Sequence, residues 1–256
     1  MKFRYVILCM FIIFYIIFYT IPFSRIHGQK EILENKNGHV SITGEIFYDS
    51  SDKLWPHRVL STDEVNMLSK DFKGVEIDVF YNSKNQCFDI KHHGTYSNIN
   101  LQRYFASTDS ILSLKFWIDF KNLNSDNVNL SISLMNKICD TYKIKSNLII
   151  ESKDIILLDK FQDEGFYISY WLPDFHFLAS IFNIVEIKNN LLKYKPYAIS
   201  MPYSSVGFYS RKFPNYYIHC WTNNMIKDKD KDKIRDLCEI DNVKIILTDF
   251  KENFLK

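Results

Sequence analysis

Eight short runs rich in β-branched and aromatic residues alternate with helix-like segments along the sequence from Leu54 onward. Strands that alternate with helices are joined by crossovers and run parallel in one sheet. Eight such units in roughly 200 residues predict an α/β fold, a closed (β/α)8 barrel. The main alternative is an open doubly wound sheet, but no glycine-rich loop follows the first predicted strand. The predicted strands are residues 54–59, 75–81, 114–121, 147–152, 166–172, 198–202, 216–222 and 243–249.

Residues 87–92 form a further short run of this kind, which we interpret as a hairpin partner or an extension of the second strand. Helix starts are predicted from capping residues. Ser61 with Thr62 precedes the acids Asp63 and Glu64, and Ser152 is expected to cap a helix over 154–164.

The N-terminus carries a separate signal. Lys2 and Arg4 precede an apolar run of 19 residues, 5–23, which at about 1.5 Å per residue nearly spans the ~30 Å hydrocarbon core of a membrane. No small-x-small cleavage site follows it. The pattern predicts a single N-terminal transmembrane helix within residues 1–23, a tether over 24–50 and a barrel domain over 51–256.

The charge distribution around this run predicts where the domain lies. Positive residues are concentrated before the apolar run, so the barrel is expected on the exported side, periplasmic or extracellular. The alternative is a cleaved signal peptide and a secreted domain. The chain has 32 Lys and Arg against 30 Asp and Glu, which argues against nucleic-acid binding by bulk charge. Its 46% hydrophobic content excludes a disordered protein, and the scattered cysteines do not support a zinc site.

Carboxylates on the second and third predicted strands indicate a metal site. Glu76 and Asp78 are two residues apart, so both side chains leave the same face of a strand, and Asp119 and Lys121 share a face on the next strand. Carboxylates that point together into a barrel repel each other unless a cation lies between them. The pattern therefore predicts a hard divalent cation, Mg²⁺ or Ca²⁺, with Lys121 beside it as an anion-binding residue.

Two histidines follow strand-like runs close to these acids. His57 and Arg58 end the first strand, and His92 ends the short run after the second. Imidazoles that face a phosphate group near neutral pH can act as general acid and general base. We therefore expect His57 and His92 to act as the catalytic pair.

The ordered motifs resemble a known family. His57-Arg58, Glu76-x-Asp78, His92, Asp119-x-Lys121, Trp221-Thr222-Asn223 and the final Thr248-Asp249 are similar to motifs of the glycerophosphodiester phosphodiesterases. These enzymes belong to the wider phosphatidylinositol phospholipase C-like superfamily of TIM barrels. Asp as the third acid and the short interval before it are more similar to the spider-venom phospholipase D branch. The phrases Trp55-Pro56-His57-Arg58 and Ile150-Glu151-Ser152 resemble the menorin-like branch and small bacterial relatives.

The resemblance implies a metal-dependent phosphodiester hydrolase or lyase that acts on a glycerophosphodiester or a phospholipid-type headgroup. Glu76, Asp78 and Asp119 match metal ligands, and His57 and His92 match the acid/base pair. Lys121 and Arg58 match phosphate contacts, and Trp221 and Asn223 match residues that line the substrate site. Attack by water or by a substrate hydroxyl both remain open, and the second would give a cyclic phosphate.

One departure from the family pattern motivates a second hypothesis. Val59 stands where these families usually have a glycine after His-Arg, and the Pro-Glu-Asn-Thr stretch of the glycerophosphodiesterases is missing. The alternative function is a non-catalytic envelope binding module that keeps the phosphodiesterase barrel and recognises a lipid or glycan headgroup.

Overall fold

The computed structural model describes residues 52–92, 95–174 and 179–255. The proposed membrane anchor and the whole of the proposed tether lie outside these residues. Among the described residues, no helix combines the length and apolar character needed to cross a membrane. The transmembrane helix expected within residues 1–23 therefore stays a prediction.

Strands and helices alternate through the described part of the chain. The strands are β1 (Leu54–Pro56), β2 (Gly74–Asn82), β3 (Cys87–His92), β4 (Thr95–Asn100), β5 (Lys115–Phe120), β6 (Leu148–Ser152), β7 (Tyr167–Trp171), β8 (Ala198–Pro202), β9 (Tyr217–Trp221) and β10 (Val243–Thr248). The helices are α1 (Thr62–Leu68), α2 (Leu101–Ala106), α3 (Val128–Tyr142), α4 (Ile155–Asp163), α5 (Ala179–Tyr194), α6 (Tyr203–Lys212) and α7 (Asp228–Cys238), with a 3₁₀ turn at Lys145–Asn147.

All strands belong to one sheet, in the order β1-β10-β9-β8-β7-β6-β5-β2-β3-β4. The eight strands expected from the sequence pair in parallel along this order, from β1 through β10 to β2. β3 and β4 form an antiparallel extension on β2, which confirms the hairpin interpretation of residues 87–92 and adds a strand that the pattern did not predict.

The sheet curls until β1 contacts β2, which lies near the other end of the order. Just beyond β1, the Val59 amide donates to the Glu76 carbonyl oxygen over 3.0 Å. At the start of β2, a Cβ on Gly74 would lie 2.3 Å from the Trp55 ring, so the two strands approach closely there because residue 74 has no side chain. The result is an α/β sheet curled into a TIM-barrel-like shape, which agrees with the predicted α/β class.

Alternate residues of the strands enter two separate apolar cores. The larger core lies between the outer face of the sheet and the helices, and it includes Val75, Ile77 and Val79 of β2. The smaller core fills the interior of the curled sheet around Trp55, Trp117, Ile149 and Leu247. Because successive strand residues face opposite sides, Glu76 and Asp78 share the interior face with this second core.

One of the two predicted helix caps is confirmed. Ser61 caps α1, where its hydroxyl accepts from the Glu64 amide over 3.3 Å. The expected Ser152 cap is wrong: Asp154 caps α4, and its carboxylate accepts from the amides of Ile156 and Leu157. An ionised carboxylate is a stronger acceptor than a hydroxyl at the positive end of a helix, so Asp154 takes this position and Ser152 remains in β6.

Candidate metal and phosphate site

The three predicted carboxylates meet inside the curled sheet. Asp78 and Asp119 are register partners on the adjacent strands β2 and β5, and Glu76 lies one side-chain layer below on β2. One oxygen from each of the three lies within 4.8 Å of the others, and all three residues are buried. Sequence parity therefore predicted both the common face and the convergence of this acidic cluster of Glu76, Asp78 and Asp119.

Burial and mutual repulsion act strongly on these acids. Burial raises the pKa of Glu76 well above its usual value, and the nearby charges of Asp78 and Asp119 raise it further. Burial also raises the pKa of Asp119 to about 6, although the charge of Lys121 opposes this rise. Without a cation, the cluster therefore disfavours full ionisation.

Lys121 supplies part of the compensating charge. Its Nζ lies 2.7 Å from Asp78 Oδ1 and also forms a close ion pair with Asp119. Burial disfavours the Lys121 ammonium, but the charges of Asp119 and then Asp78 outweigh this effect and raise its pKa. Lys121 therefore pairs with two of the three predicted metal ligands.

A divalent cation fits this set of residues. Glu76 Oε1 is a buried carboxylate oxygen with no hydrogen-bond partner among the described residues. An oxygen-only set of three carboxylates is what Mg²⁺ and Ca²⁺ prefer. A cation beside Glu76 would satisfy the unpaired oxygen and relieve the repulsion within the cluster.

His57 lies at the edge of the acidic cluster. Its Nε2 is 3.9 Å from Glu76 Oε2, and its Nδ1 is 3.3 Å from Asp249 Oδ1 at the end of β10. Burial lowers the pKa of His57, an effect that the hydrogen bond with Asp249 opposes. Burial therefore favours the neutral form of His57, and Asp249 favours a proton on Nδ1, which leaves Nε2 as the basic nitrogen towards the acids.

His92 approaches the same acids from β3. Its Nδ1 lies 2.7 Å from Asp78 Oδ2. The two predicted histidines thus contact different members of the acidic cluster, one from the end of β1 and one from the antiparallel extension. The sequence predicted both positions, whereas the pairing of His57 with Asp249 was not anticipated, although Asp249 also follows a strand.

Arg58 is held in an unusual backbone conformation. Its φ is +57°, in the left-handed region that residues other than glycine rarely adopt. The Arg58 amide donates to Glu76 Oε2 over 2.7 Å, which stabilises this turn. The side chain donates from Nη2 to Asn223 Oδ1 over 3.1 Å, and its Nε is buried without a hydrogen-bond partner among the described residues. Arg58 and Asn223, both predicted substrate contacts, are therefore brought together.

Aromatic residues lie close to Lys121. The Trp171 ring centroid lies 5.8 Å from Lys121 Nζ, and Trp171 packs edge to face on the predicted Trp221 at 5.2 Å. Lys153, which follows β6, lies over the same Trp171 ring at 4.1 Å. Trp171 and Lys153 were not predicted as site residues, and only their positions after parallel strands could have indicated them.

A fourth buried acid lies beside the cluster. Glu151 is the register partner of Asp119 on β6, and its Oε2 accepts from Trp117 Nε1 over 2.8 Å. Burial, and then the charge of Asp119, raises the pKa of Glu151 to about 8. His219 lies deeper in the interior, paired with the Ser169 hydroxyl at 2.9 Å and fully buried. Its position away from the surface favours a structural role.

Comparison with solved structures identifies the fold. The glycerophosphodiester phosphodiesterase from Parabacteroides distasonis superposes with a TM-score of 0.61 at 12% identity, covering 78% of this chain and 93% of that one. The Oleispira antarctica phosphodiesterase, solved with the product sn-glycerol-3-phosphate, gives a TM-score of 0.59 at 11% identity, with 81% and 96% coverage. No protein-family model and no curated protein sequence matches the chain.

The same comparison finds a protein with another role. The glycerol uptake operon antiterminator regulatory protein from Listeria monocytogenes superposes with a TM-score of 0.53 at 11% identity, covering 79% of this chain and 94% of that one. At these identities the likeness concerns the fold alone. The described part of this chain has the TIM-barrel-like fold of these solved glycerophosphodiester phosphodiesterases.

Proposed function

We propose that this protein is a metal-dependent phosphodiesterase acting on glycerophosphodiesters or on the headgroup of a phospholipid. The proposal includes a complete (β/α)8 barrel closed at the contact of β1 with β2. One observation carries it: His57, oriented by Asp249, has its Nε2 3.9 Å from Glu76 of the acidic cluster. The proposed base His57, the proposed cation site and Lys121 therefore lie next to one another.

Different residues of the site bind the cation, the phosphate and the headgroup in this proposal. Glu76, Asp78 and Asp119 would hold Mg²⁺ or Ca²⁺, which supplies positive charge for the phosphoryl oxygens when bound. Lys121 and Arg58 bind the phosphate, and the buried Arg58 Nε gains an acceptor from it. Trp221 and Asn223 line the headgroup side of the site.

In this proposal, His57 and His92 transfer the protons. His57 Nε2 accepts the proton of the attacking hydroxyl while the attacking oxygen forms a bond to phosphorus. The bond from phosphorus to the leaving oxygen breaks, and His92 donates a proton to that oxygen. Water as the attacking group gives a phosphomonoester, and a substrate hydroxyl gives a cyclic phosphate.

The test uses glycerophosphoglycerol, glycerophosphocholine and bis-p-nitrophenyl phosphate with EDTA-treated protein, with and without Mg²⁺ or Ca²⁺. We expect cation-dependent turnover that falls about 10²- to 10⁴-fold in His57→Ala. Phosphorus NMR separates a phosphomonoester from a cyclic product. Circular dichroism establishes that the variant is folded. Absence of cation-dependent turnover across the panel would reject the enzyme.

A binding module without catalysis is the second candidate. The fold also occurs in the Listeria regulatory protein, and Val59 replaces the usual glycine after His-Arg. This candidate requires headgroup binding by calorimetry that persists in both His57→Ala and His92→Ala, with no turnover in the parent protein. Turnover that depends on His57 excludes it.

We further propose that residues 1–23 anchor the barrel to a membrane, with the barrel on the exported side. The uninterrupted apolar run 5–23 and the preceding Lys2 and Arg4 support this. The full chain should sediment with membranes in carbonate and become protease-accessible from the exported side. A mature N-terminus found beyond residue 23 would instead establish signal cleavage.

A further inference from the structure

Two lysines with different surroundings lie near the Trp171 ring. Lys121 Nζ is 5.8 Å from the ring centroid and is paired with Asp78 and Asp119. Lys153 Nζ is 4.1 Å from the same centroid, and the Lys153 side chain is exposed. The Trp171 ring therefore lies near both Lys121, which is paired with the acidic cluster, and the exposed Lys153.

Lys153 has no carboxylate at ion-pair distance among the described residues, since the ion pairs found there involve other lysines. The adjacent acid, Asp154, caps α4 with its carboxylate. Lys153 Nζ lies over the same Trp171 ring as Lys121 Nζ, which places it beside the site. Lys153 is thus near the site and available to an anion.

The reacting phosphate does not require this additional charge. A phosphodiester carries one negative charge, and Lys121, Arg58 and the cation site already face it. The cation–π contact with Trp171 holds the long Lys153 side chain over the ring instead of leaving it free in solvent. Such a contact reduces the entropy that Lys153 loses when it binds a ligand.

The surface beside Lys153 suits the carbon skeleton of a polyol. Trp171 and Trp221 pack edge to face with centroids 5.2 Å apart, at the ends of β7 and β9. Both are only partly buried. Aromatic faces pack against C–H groups while hydroxyls remain in water, whereas a quaternary ammonium would meet the Lys153 charge on the same ring.

We propose that Lys153, Trp171 and Trp221 form a headgroup subsite for a polyol that carries a second anionic group, such as a phosphate ester, beyond the scissile phosphodiester. This inference rests on the proposed phosphodiesterase activity and specifies its substrate class. The subsite favours anionic headgroups over neutral ones and disfavours cationic headgroups such as choline.

The experiment compares kcat/KM for three probes at fixed Mg²⁺ or Ca²⁺. They are glycerophosphoglycerol, the same molecule with a phosphate ester on its distal hydroxyl, and glycerophosphocholine. We expect the phosphorylated probe to be preferred and glycerophosphocholine to be the poorest. Lys153→Met, which keeps the length of the side chain, should reduce kcat/KM for the phosphorylated probe about 3- to 10-fold and leave glycerophosphoglycerol nearly unchanged.

Lys160→Met is the matched control. Lys160 is an exposed lysine of α4 that lines a groove with Asn136 and Glu164, and its loss should alter no probe. A preference for glycerophosphocholine, or equal effects of Lys153→Met on both glycerophosphoglycerol probes, would overturn the subsite and leave the phosphodiesterase standing. Absence of turnover for every probe would reject the phosphodiesterase, and the subsite with it.

Discussion

His57 and Asp249 illustrate how single residues acquire their properties here. The imidazole is buried, which lowers its pKa, and the Asp249 carboxylate opposes this by a hydrogen bond to Nδ1. A general base acts in its deprotonated form, so the acidic limb of the activity profile should rise with pH through the pKa of His57. Because that pKa is lowered from its usual value near 6.5, the acidic limb should lie below pH 6.5.

Asp249→Asn tests this positioning role. Removing the charge that raises the pKa of His57 should move the acidic limb of the kcat/KM profile to lower pH. It should also reduce kcat about 10- to 100-fold, because the ring loses the partner that fixes its tautomer. Asp236→Asn, at an exposed position of α7, is the control. A decrease in kcat without movement of the limb would contradict the assignment.

Trp117 and Glu151 give a second prediction at the residue scale. Trp117→Phe removes the Nε1 donor and leaves Glu151 buried with one partner fewer, so we expect a loss of about 1–3 kcal/mol in the free energy of unfolding. The double variant Trp117→Phe/Glu151→Leu removes both polar groups and should lose less than the sum of the single changes. Urea denaturation measures the free energy of unfolding of the single and double variants. If the losses in unfolding free energy were strictly additive, the hydrogen bond would not couple Trp117 and Glu151.

The contact between β1 and β2 is the element on which the site depends. β1 ends at Pro56, and the following turn places His57 and Arg58 against Glu76 of β2. The left-handed Arg58 and the close packing of Trp55 on Gly74 belong to this same contact. His57, the proposed base, and the acidic cluster are therefore brought together by the contact that curls the sheet on itself.

Gly74→Ala tests that contact. The added Cβ would lie 2.3 Å from the Trp55 ring in the interior of the sheet, so we expect a loss of about 1–3 kcal/mol together with reduced activity. Gly207→Ala in α6 is the control, since its Cβ would meet only the Arg211 side chain at 3.8 Å and alanine favours helices. That variant should be as stable as the parent protein or more so. Equal effects of both substitutions in thermal unfolding would argue against tight packing at β1 and β2.

At the scale of the whole molecule, the raised pKa values of the buried acids couple the stability of the fold to pH. Raised pKa values mean that the folded state binds more protons than the unfolded chain between about pH 4, where free carboxyls titrate, and the folded values. These values are about 6 for Asp119 and about 8 for Glu151. Stability contributed by these groups is therefore present at low pH and is lost as pH rises through that window.

The metal-free protein should therefore lose thermal stability from pH 6 to pH 8 by several degrees, and Glu151→Gln should flatten this decline. His57 acts in the opposite direction mainly below pH 6.5, so it opposes the decline only at the lower end of this interval. Adding Mg²⁺ or Ca²⁺ should raise Tm more at pH 8 than at pH 5, because protons compete with the cation for the acidic cluster. Scanning calorimetry in EDTA and in each cation measures both effects. A cation effect independent of pH would contradict binding at these carboxylates.

Local patterns in the sequence determined the alternation of strands and helices, the interior face shared by Glu76 and Asp78, and the pairing of Asp119 with Lys121. These follow from periodicities of two and 3.6 residues, which each segment carries by itself. Only the tertiary structure decided that His57 pairs with Asp249, that Arg58 meets Asn223, and that Lys153 lies over Trp171. These pairs join residues far apart in the chain, and their contact depends on the register and curl of the whole sheet, which no local pattern records.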